Sequence, residues 1–352
     1  MELSKQQRAI IQTPESQVIV IASAAAGKTA TLVARVQYLL QNGVDPKEIV
    51  LITFTNAAAD ELADRLGRPQ GLFCGTIHSY ANYLLRSNGE DTSDLLEQEQ
   101  FDRLFDRIED NPSCLRHVSH LLLDESQDST ELQFRFLLDM VNPDNYMLVG
   151  DYRQSIYRWA GADPQYLMDL MERDNVVTYD LNENYRNGVS ILRYAQSIIQ
   201  LAGYDYIDNS KPMRMEYGRV CTVDYEPVRL AQSIKAWGEY KDWFVLARTN
   251  DQVDEIARVL TKMDVPCDTF KRSQLDNAEL FKRLHDDKVK VLTIHTSKGL
   301  EAKNVAVIGA KFYNIEEKCI SYVAATRARD LLVWTKMPTK PQRQKKVTNW
   351  ET

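Results

Sequence analysis

The sequence predicts an α/β protein of two lobes, each built on a parallel sheet flanked by helices. Three observations carry that prediction. Short apolar runs alternate with amphipathic stretches along the chain, the pattern of strands buried on both faces between helices. The apolar run 18–21 passes through Ala22-Ser23-Ala24-Ala25-Ala26-Gly27-Lys28-Thr29 into a helical pattern, which reads as strand, tight loop and helix start. At 352 residues the chain is long enough for two domains of ordinary size, each with its own core.

In the first half, residues 18–21, 49–54, 121–123 and 146–149 read as strands, and 30–41, 57–66 and 130–141 as helices between them. The stretch 91–111 is acidic and carries Leu95, Leu96, Phe101, Leu104, Phe105 and Ile108 as an apolar stripe, which predicts one or two packing helices. In the second half, 176–180, 220–225, 243–247, 289–293 and 304–308 read as strands. Residues 189–202, 228–237, 251–263 and 320–328 read as helices. The boundary falls near 172–182, giving lobes 1–176 and 177–338, with a short helical insertion at about 88–117 in the first. The tail 339–352 carries Lys340, Arg343, Lys345 and Lys346 and reads as a disordered end rather than an arm for DNA.

Composition narrows the class. A chain with 44% hydrophobic and 26% charged residues is of the soluble globular type. A net charge of −7 argues against a protein that coats nucleic acid, though not against a local basic groove. The five cysteines (Cys74, Cys114, Cys221, Cys267, Cys319) are scattered without metal-ligand spacing, which argues against zinc and for a reducing cytoplasm. The polar start of the chain holds no signal-peptide pattern, and no apolar run is long enough to span a membrane.

Two segments point to chemistry. The loop's backbone N–H groups, including those of Ala24, Ala26 and Gly27, and the positive end of the helix behind them make a cradle for phosphate. Lys28 would reach the β- and γ-phosphates and the Thr29 hydroxyl would ligate Mg²⁺. The usual pattern is G-x-x-x-x-G-K-[ST]; here Ala22 replaces its first glycine, and Ser23 and Ala25 stand where glycines are common. Binding should survive with Ala25 at negative φ. Downstream, Leu121-Leu122-Leu123-Asp124-Glu125 is an apolar strand ending in two carboxylates. Asp124 would organise Mg²⁺ and Glu125 would orient or deprotonate an attacking water.

From here the sequence resembles the UvrD/Rep/PcrA-like helicases of superfamily 1, over nearly its whole length and in the right order. Leu3-Ser4-Lys5-Gln6-Gln7 is similar to the family's adenine-reading element, with Gln7 as the contact. Ile52-Thr53-Phe54-Thr55-Asn56-Ala57-Ala58-Ala59 and Gly75-Thr76-Ile77-His78-Ser79 resemble its elements on single-stranded DNA, implying DNA contacts by Thr53, Thr55, Asn56 and His78. Asp124-Glu125-Ser126-Gln127-Asp128 matches D-E-x-Q-D. Residues 149–162 resemble G-D-x-x-Q-S-I-Y-x-W-x-G-A, which implies that Gln154 senses the γ-phosphate and that Tyr157 and Trp159 face DNA. An aromatic face accepts any base, so Trp159 suits sequence-blind stacking.

Leu181-Asn182-Glu183-Asn184-Tyr185-Arg186 resembles L-x-x-N-Y-R, implying Tyr185 on the adenine and Arg186 on the γ-phosphate. Residues 293–301 resemble T-x-H-x-x-K-G-L-E, implying Glu301 on the ribose and Thr293 and His295 near DNA. Tyr322-Val323-Ala324-Ala325-Thr326-Arg327-Ala328 resembles Y-V-x-x-T-R-A, with Arg327 as an arginine finger. The resemblance thus implies two RecA-like P-loop NTPase domains that use ATP and Mg²⁺. It implies an ATP-dependent translocase or helicase, moving 3′ to 5′ as a monomer on single-stranded or tailed duplex DNA.

The family's large insertions are reduced or absent here, a departure that bears on duplex unwinding rather than on ATPase activity. The family also has a basic residue after the loop threonine; here it is Ala30, so selectivity is looser or Arg35 substitutes. The competing reading is an ATP-switched DNA- or partner-binding subunit of a larger nuclease or defence assembly. A phosphate-loop kinase is disfavoured because the second half repeats the lobe pattern and offers no acceptor-site signal.

Overall fold

The computed structural model describes residues 3–270 and 283–336. In the first half run β1 (Gln17–Ala22), β2 (Ile49–Ile52), β3 (Phe73–Gly75), β4 (His120–Leu123), β5 (Asn145–Gly150) and β6 (Val177–Leu181). They form a six-stranded sheet in the order β3-β2-β4-β5-β1-β6, every pairing parallel. A short parallel ribbon joins β7 (Glu183–Asn184) to β8 (Lys211–Pro212). The second sheet uses β9 (Arg219–Asp224), β10 (Trp243–Ala247), β11 (Cys267–Phe270), β12 (Val289–Thr293), β13 (Ala302–Ile308) and β14 (Ala328–Lys336). Its order is β11-β12-β10-β13-β14-β9, again all parallel.

Strand side chains alternate between faces, so one apolar run feeds two cores. Ile19, Ile21, Val50, Ile52, Leu121, Leu123 and Leu148 enter one core of the first sheet. Val18, Val20, Ile49, Leu51, Leu122, Met147 and Val149 enter the other. The helix Lys28–Gln41 covers the second face through Leu32, Val36 and Leu39. The helix Ile77–Ser87 covers the first through Tyr80, Ala81, Leu84 and Leu85.

The predicted stripe at 91–111 becomes the helices Ser93–Glu97 and Arg103–Asp110, with Leu95, Leu104, Phe105 and Ile108 buried and Phe101 left exposed. The helix expected over 130–141 is one α-turn, Glu131–Phe134, continued by a π-helical stretch, Arg135–Met140. The last helix spans Ile315–Thr326 and stops before Ala328, which opens β14 instead.

The chain packs as two units. The first takes Met1–Gly218 with Phe312–Thr326; the second takes Arg219–Lys311 and Arg327–Thr352. The sequence reading opens the second lobe at 177, but β6 pairs with β1 at the edge of the first sheet, Val177 opposite Val18 and Leu181 opposite Ala22. The helices Val189–Gln200 and Ile315–Thr326, expected in the second lobe, also belong to the first unit. The basic tail 339–352 lies outside the described residues. Among those, no helix is long and apolar enough to cross a membrane.

Candidate functional site

The loop after β1, where the sequence places a phosphate cradle, runs into the helix Lys28–Gln41. Gly27 caps the helix Lys28–Gln41 at φ 85°, and a β-carbon there would lie 2.6 Å from Gln7 Nε2. The left-handed backbone favours glycine here, and a β-carbon would also make the Gln7 amide shift. Gln7 is buried and reciprocally capped with Ser4. Lys28 Nζ lies 3.5 Å from the Ala22 carbonyl and 3.9 Å from Glu125 Oε1. Ala25 has φ 58°. This corrects the expectation of negative φ; a left-handed alanine costs roughly 1–2 kcal/mol.

The loop is held in that shape from outside. Asn184 Nδ2 donates to the Ala24 carbonyl at 2.9 Å, and the Tyr185 N–H donates to the Ala25 carbonyl at 3.2 Å. Asn184 Nδ2 also reaches Asn187 Oδ1 at 2.8 Å, and Asn187 Nδ2 donates to the Thr326 carbonyl at 3.1 Å. Arg186 Nη1 donates to the same carbonyl at 3.2 Å. The Tyr185 ring stays exposed at the loop, with its hydroxyl on Glu183 Oε2 at 2.8 Å.

The acidic end of β4 sits close by. Asp124 is buried and its Oδ1 accepts the Glu125 N–H at 2.9 Å. Glu125 takes φ 51°, and its Oε2 accepts from Gln127 Nε2 at 2.6 Å. Gln127 Oε1 in turn accepts the Asp151 N–H at 2.9 Å, tying β4 to the end of β5. Gly150 permits this approach, since a β-carbon there would meet Ser126 Oγ at 2.4 Å and Gln127 Oε1 at 2.6 Å. Gln154 Nε2 donates to Asp151 Oδ2 at 2.7 Å.

The Thr29 hydroxyl makes no hydrogen bond to a described residue and, with Asp124, offers the hydroxyl and carboxylate that Mg²⁺ favours. Among the described residues no group of three or more His, Cys, Asp and Glu could hold a metal.

On the neighbouring surface three aromatics form a step. The rings of Phe54 and Tyr157 stack at 4.9 Å, and Trp159 stands edge-on to Tyr157 at 6.2 Å. Tyr157 is buried, Phe54 half-exposed, and Trp159 71% exposed. A cavity of about 550 Å³ has Thr53, Phe54, His78 and Tyr157 on its walls together with Asp124 and Glu125. His78 Nε2 pairs with Asp102 Oδ1 at 2.9 Å, and its ring stacks on Phe105. Thr53 is buried, and Thr55 Oγ1 caps the helix Asn56–Leu66 by accepting the Ala58 N–H at 3.1 Å.

The second unit holds the remaining candidates. Thr293 closes β12, its Oγ1 2.9 Å from Thr296 Oγ1. His295 follows two residues later, and Glu301 is exposed just before β13. Arg327 is buried and donates Nη1 to the Leu300 carbonyl at 3.2 Å.

Residues 3–111 and 102–174 match the UvrD/REP helicase N-terminal domain, and residues 268–338 match the UvrD-like helicase C-terminal domain. The chain belongs to the UvrD/Rep/PcrA-like helicase family. It is 23% identical to DNA helicase II of Escherichia coli over 94% of this chain and 60% of that protein. It is 28% identical to the ATP-dependent DNA helicase Rep of Buchnera aphidicola over 57% of this chain and 33% of that one. It is 26% identical to the ATP-dependent DNA helicase PcrA of Leuconostoc citreum, over 75% of this chain and 49% of the other. The chain spans about half the length of the curated relatives it matches.

Against this UvrD/Rep/PcrA-like background one further placement matters. Arg35, offered as a stand-in for the basic residue after Thr29, is buried and donates Nη1 to the Ile11 and Thr13 carbonyls at 2.7 and 3.0 Å. It anchors the chain after the Gln7 helix rather than facing the loop. The sequence reading gave no role to Phe54, Asn184, Asn187 or Asp208. Phe54 and Asn184 sit inside quoted motifs, so an aromatic close after a strand and the Asn-Tyr-Arg run were available signals. Asp208 lies in no motif and had none.

Proposed function

We propose that this chain is an ATP-dependent translocase or helicase on single-stranded DNA, moving 3′ to 5′ as a cytoplasmic monomer. One observation carries the reading: Asp124 and Glu125 share a cavity with Thr53, Phe54, His78 and Tyr157. Groups assigned to nucleotide and groups assigned to DNA are walls of one space in one unit. A shift at either wall is thereby felt at the other, which is what coupling hydrolysis to grip on a strand requires.

In this reading Gln7 and Tyr185 hold the base. The amides of Ala24, Ala26 and Gly27 cradle the phosphates, and Lys28 takes their charge. Thr29 and Asp124 would hold Mg²⁺, which supplies charge neutralisation when bound. Glu125, positioned by Gln127, orients and deprotonates the attacking water. Gln154 reads the γ-phosphate, and Arg186 offsets the charge that grows as it leaves. Trp159 and Phe54 stack on bases, while Thr53, Thr55, Asn56 and His78 line the strand.

Steady-state ATP hydrolysis with and without oligo-dT tests this, with Lys28→Ala as the blank. Strong stimulation by DNA is expected. Slow turnover indifferent to DNA would overturn the motor reading.

A further inference from the structure

Behind the phosphate loop lies a buried polar relay that the chemistry above leaves unused. Ser23 Oγ lies 3.1 Å from Arg153 Nη2 and 3.2 Å from Asp208 Oδ1. Arg153 donates Nε to Asp151 Oδ1 at 2.6 Å, and Nη1 to Asp208 Oδ1 at 3.3 Å and to the Ile207 carbonyl at 3.0 Å. The other oxygen of Asp151 holds Gln154 Nε2 at 2.7 Å. Asp208 also accepts the Ser210 N–H at 2.9 Å and, through Oδ2, the Tyr322 hydroxyl at 2.8 Å. Ser23, Asp151, Arg153, Asp208 and Tyr322 are all buried, and all lie in the first unit. Burial pulls the Arg153 pKa down, but Asp151, Tyr322 and Asp208 outweigh it and raise it, so the guanidinium stays charged.

Two features make this more than buried charge balance. The relay touches both ends of the triphosphate site, Ser23 in the loop and Gln154 beyond β5. It also meets a loop under strain, because Ala25 sits at φ 58° without a glycine's freedom. Such a conformation persists only where its surroundings over-determine it. Asn184 and Tyr185 hold the loop by its carbonyls; Ser23 Oγ is its side-chain tether. A glycine at position 23 could not make that tether.

We propose that Arg153 and Asp208 are positioning residues for the nucleotide site, fixing Ser23 and Gln154 against the helix Ile315–Thr326. The proposal rests on the nucleotide-site reading above. Its test is the Kd of Mg-ADP by titration calorimetry on the full chain, for the wild type, Ser23→Ala, Asp208→Asn and the double variant, each with a melting curve. Ser23→Ala removes one oxygen and should weaken binding about fivefold; Asp208→Asn should weaken it tenfold or more. Because the two act as one unit, the double variant should bind no more weakly than Asp208→Asn. A purely structural role would lower melting temperatures and leave the Kd of the folded protein within twofold, and that result overturns the proposal. If Asp208→Asn does not fold, Ser23→Ala alone decides on the same twofold criterion. A wild type that does not bind Mg-ADP would instead remove the nucleotide-site reading itself.

Discussion

Replacing Trp159 by alanine separates recognition from stability, because the aromatic step is buried at one end and open at the other. Trp159 is 71% exposed, whereas Tyr157 is buried under Phe54. A base laid on the indole would cover about 80–100 Å² of apolar surface, worth about 2–2.5 kcal/mol at ~25 cal/mol per Å². That agrees with the roughly 1–3 kcal/mol measured for base–aromatic stacking elsewhere. At about 1.4 kcal/mol per tenfold, Trp159→Ala should weaken oligo-dT binding about 30-fold. Little native packing is lost, so the melting temperature should move by less than about 2 °C. Tyr157→Ala, by contrast, empties a buried site and should cost about 3–5 kcal/mol of stability. Fluorescence anisotropy with labelled oligo-dT at fixed salt reads the first effect and thermal melts the second. Unchanged anisotropy binding by a stably folded Trp159→Ala would refute the stacking assignment, whatever Tyr157→Ala does.

Glu125→Gln keeps the shape that Gln127 holds but removes the base, so ATP turnover should fall by about 10²–10⁴ while nucleotide binding persists; a phosphate-release assay beside calorimetry checks this. Gly27→Ala adds a β-carbon 2.6 Å from Gln7 Nε2 at φ 85°, and should weaken Mg-ADP binding tenfold or more by calorimetry. Two histidines give opposite pH signatures. Burial, then Arg35, lowers the His120 pKa, so below pH 6.5 the unfolded chain takes a proton that the folded chain resists, and stability falls with falling pH. The hydrogen bond to Asp144 raises that of His117, so its stabilisation is full below pH 6.5 and is lost as pH rises through the raised value. Thermal melts from pH 5 to 8 should therefore show His120→Gln gaining relative stability at acid pH and His117→Gln losing it there.

Most of the first sheet was legible because its strands are continuous apolar runs whose alternate residues serve two cores, as Leu121, Leu122 and Leu123 do. β3 escaped because it is three residues long and half-buried, and the helix Ile77–Ser87 because its start lay inside a motif read for contacts. The division into units was missed for a physical reason. β6 has an alternating, half-exposed pattern that fits the edge of either sheet, and only its register against β1 decides. Nothing local to residues 177–181 encodes that partner.

The site divides along the same line. Lys28, Asp124 and Glu125 could be proposed from the sequence because each proposed role needs one residue type at one place on a strand–loop–helix unit; Gln154 is proposed only from the family resemblance. The backbone at Ala25 could not. Its left-handed conformation is held by an N–H at Tyr185 and an amide at Asn184, some 160 residues away. By itself the segment Ala24-Ala25-Ala26 favours negative φ, the state expected from sequence. The strain is a property of the packed loop, and so is the requirement for struts. This is why Asn184 and Asp208, which touch no substrate in the proposed chemistry, should be no freer to vary than residues that do.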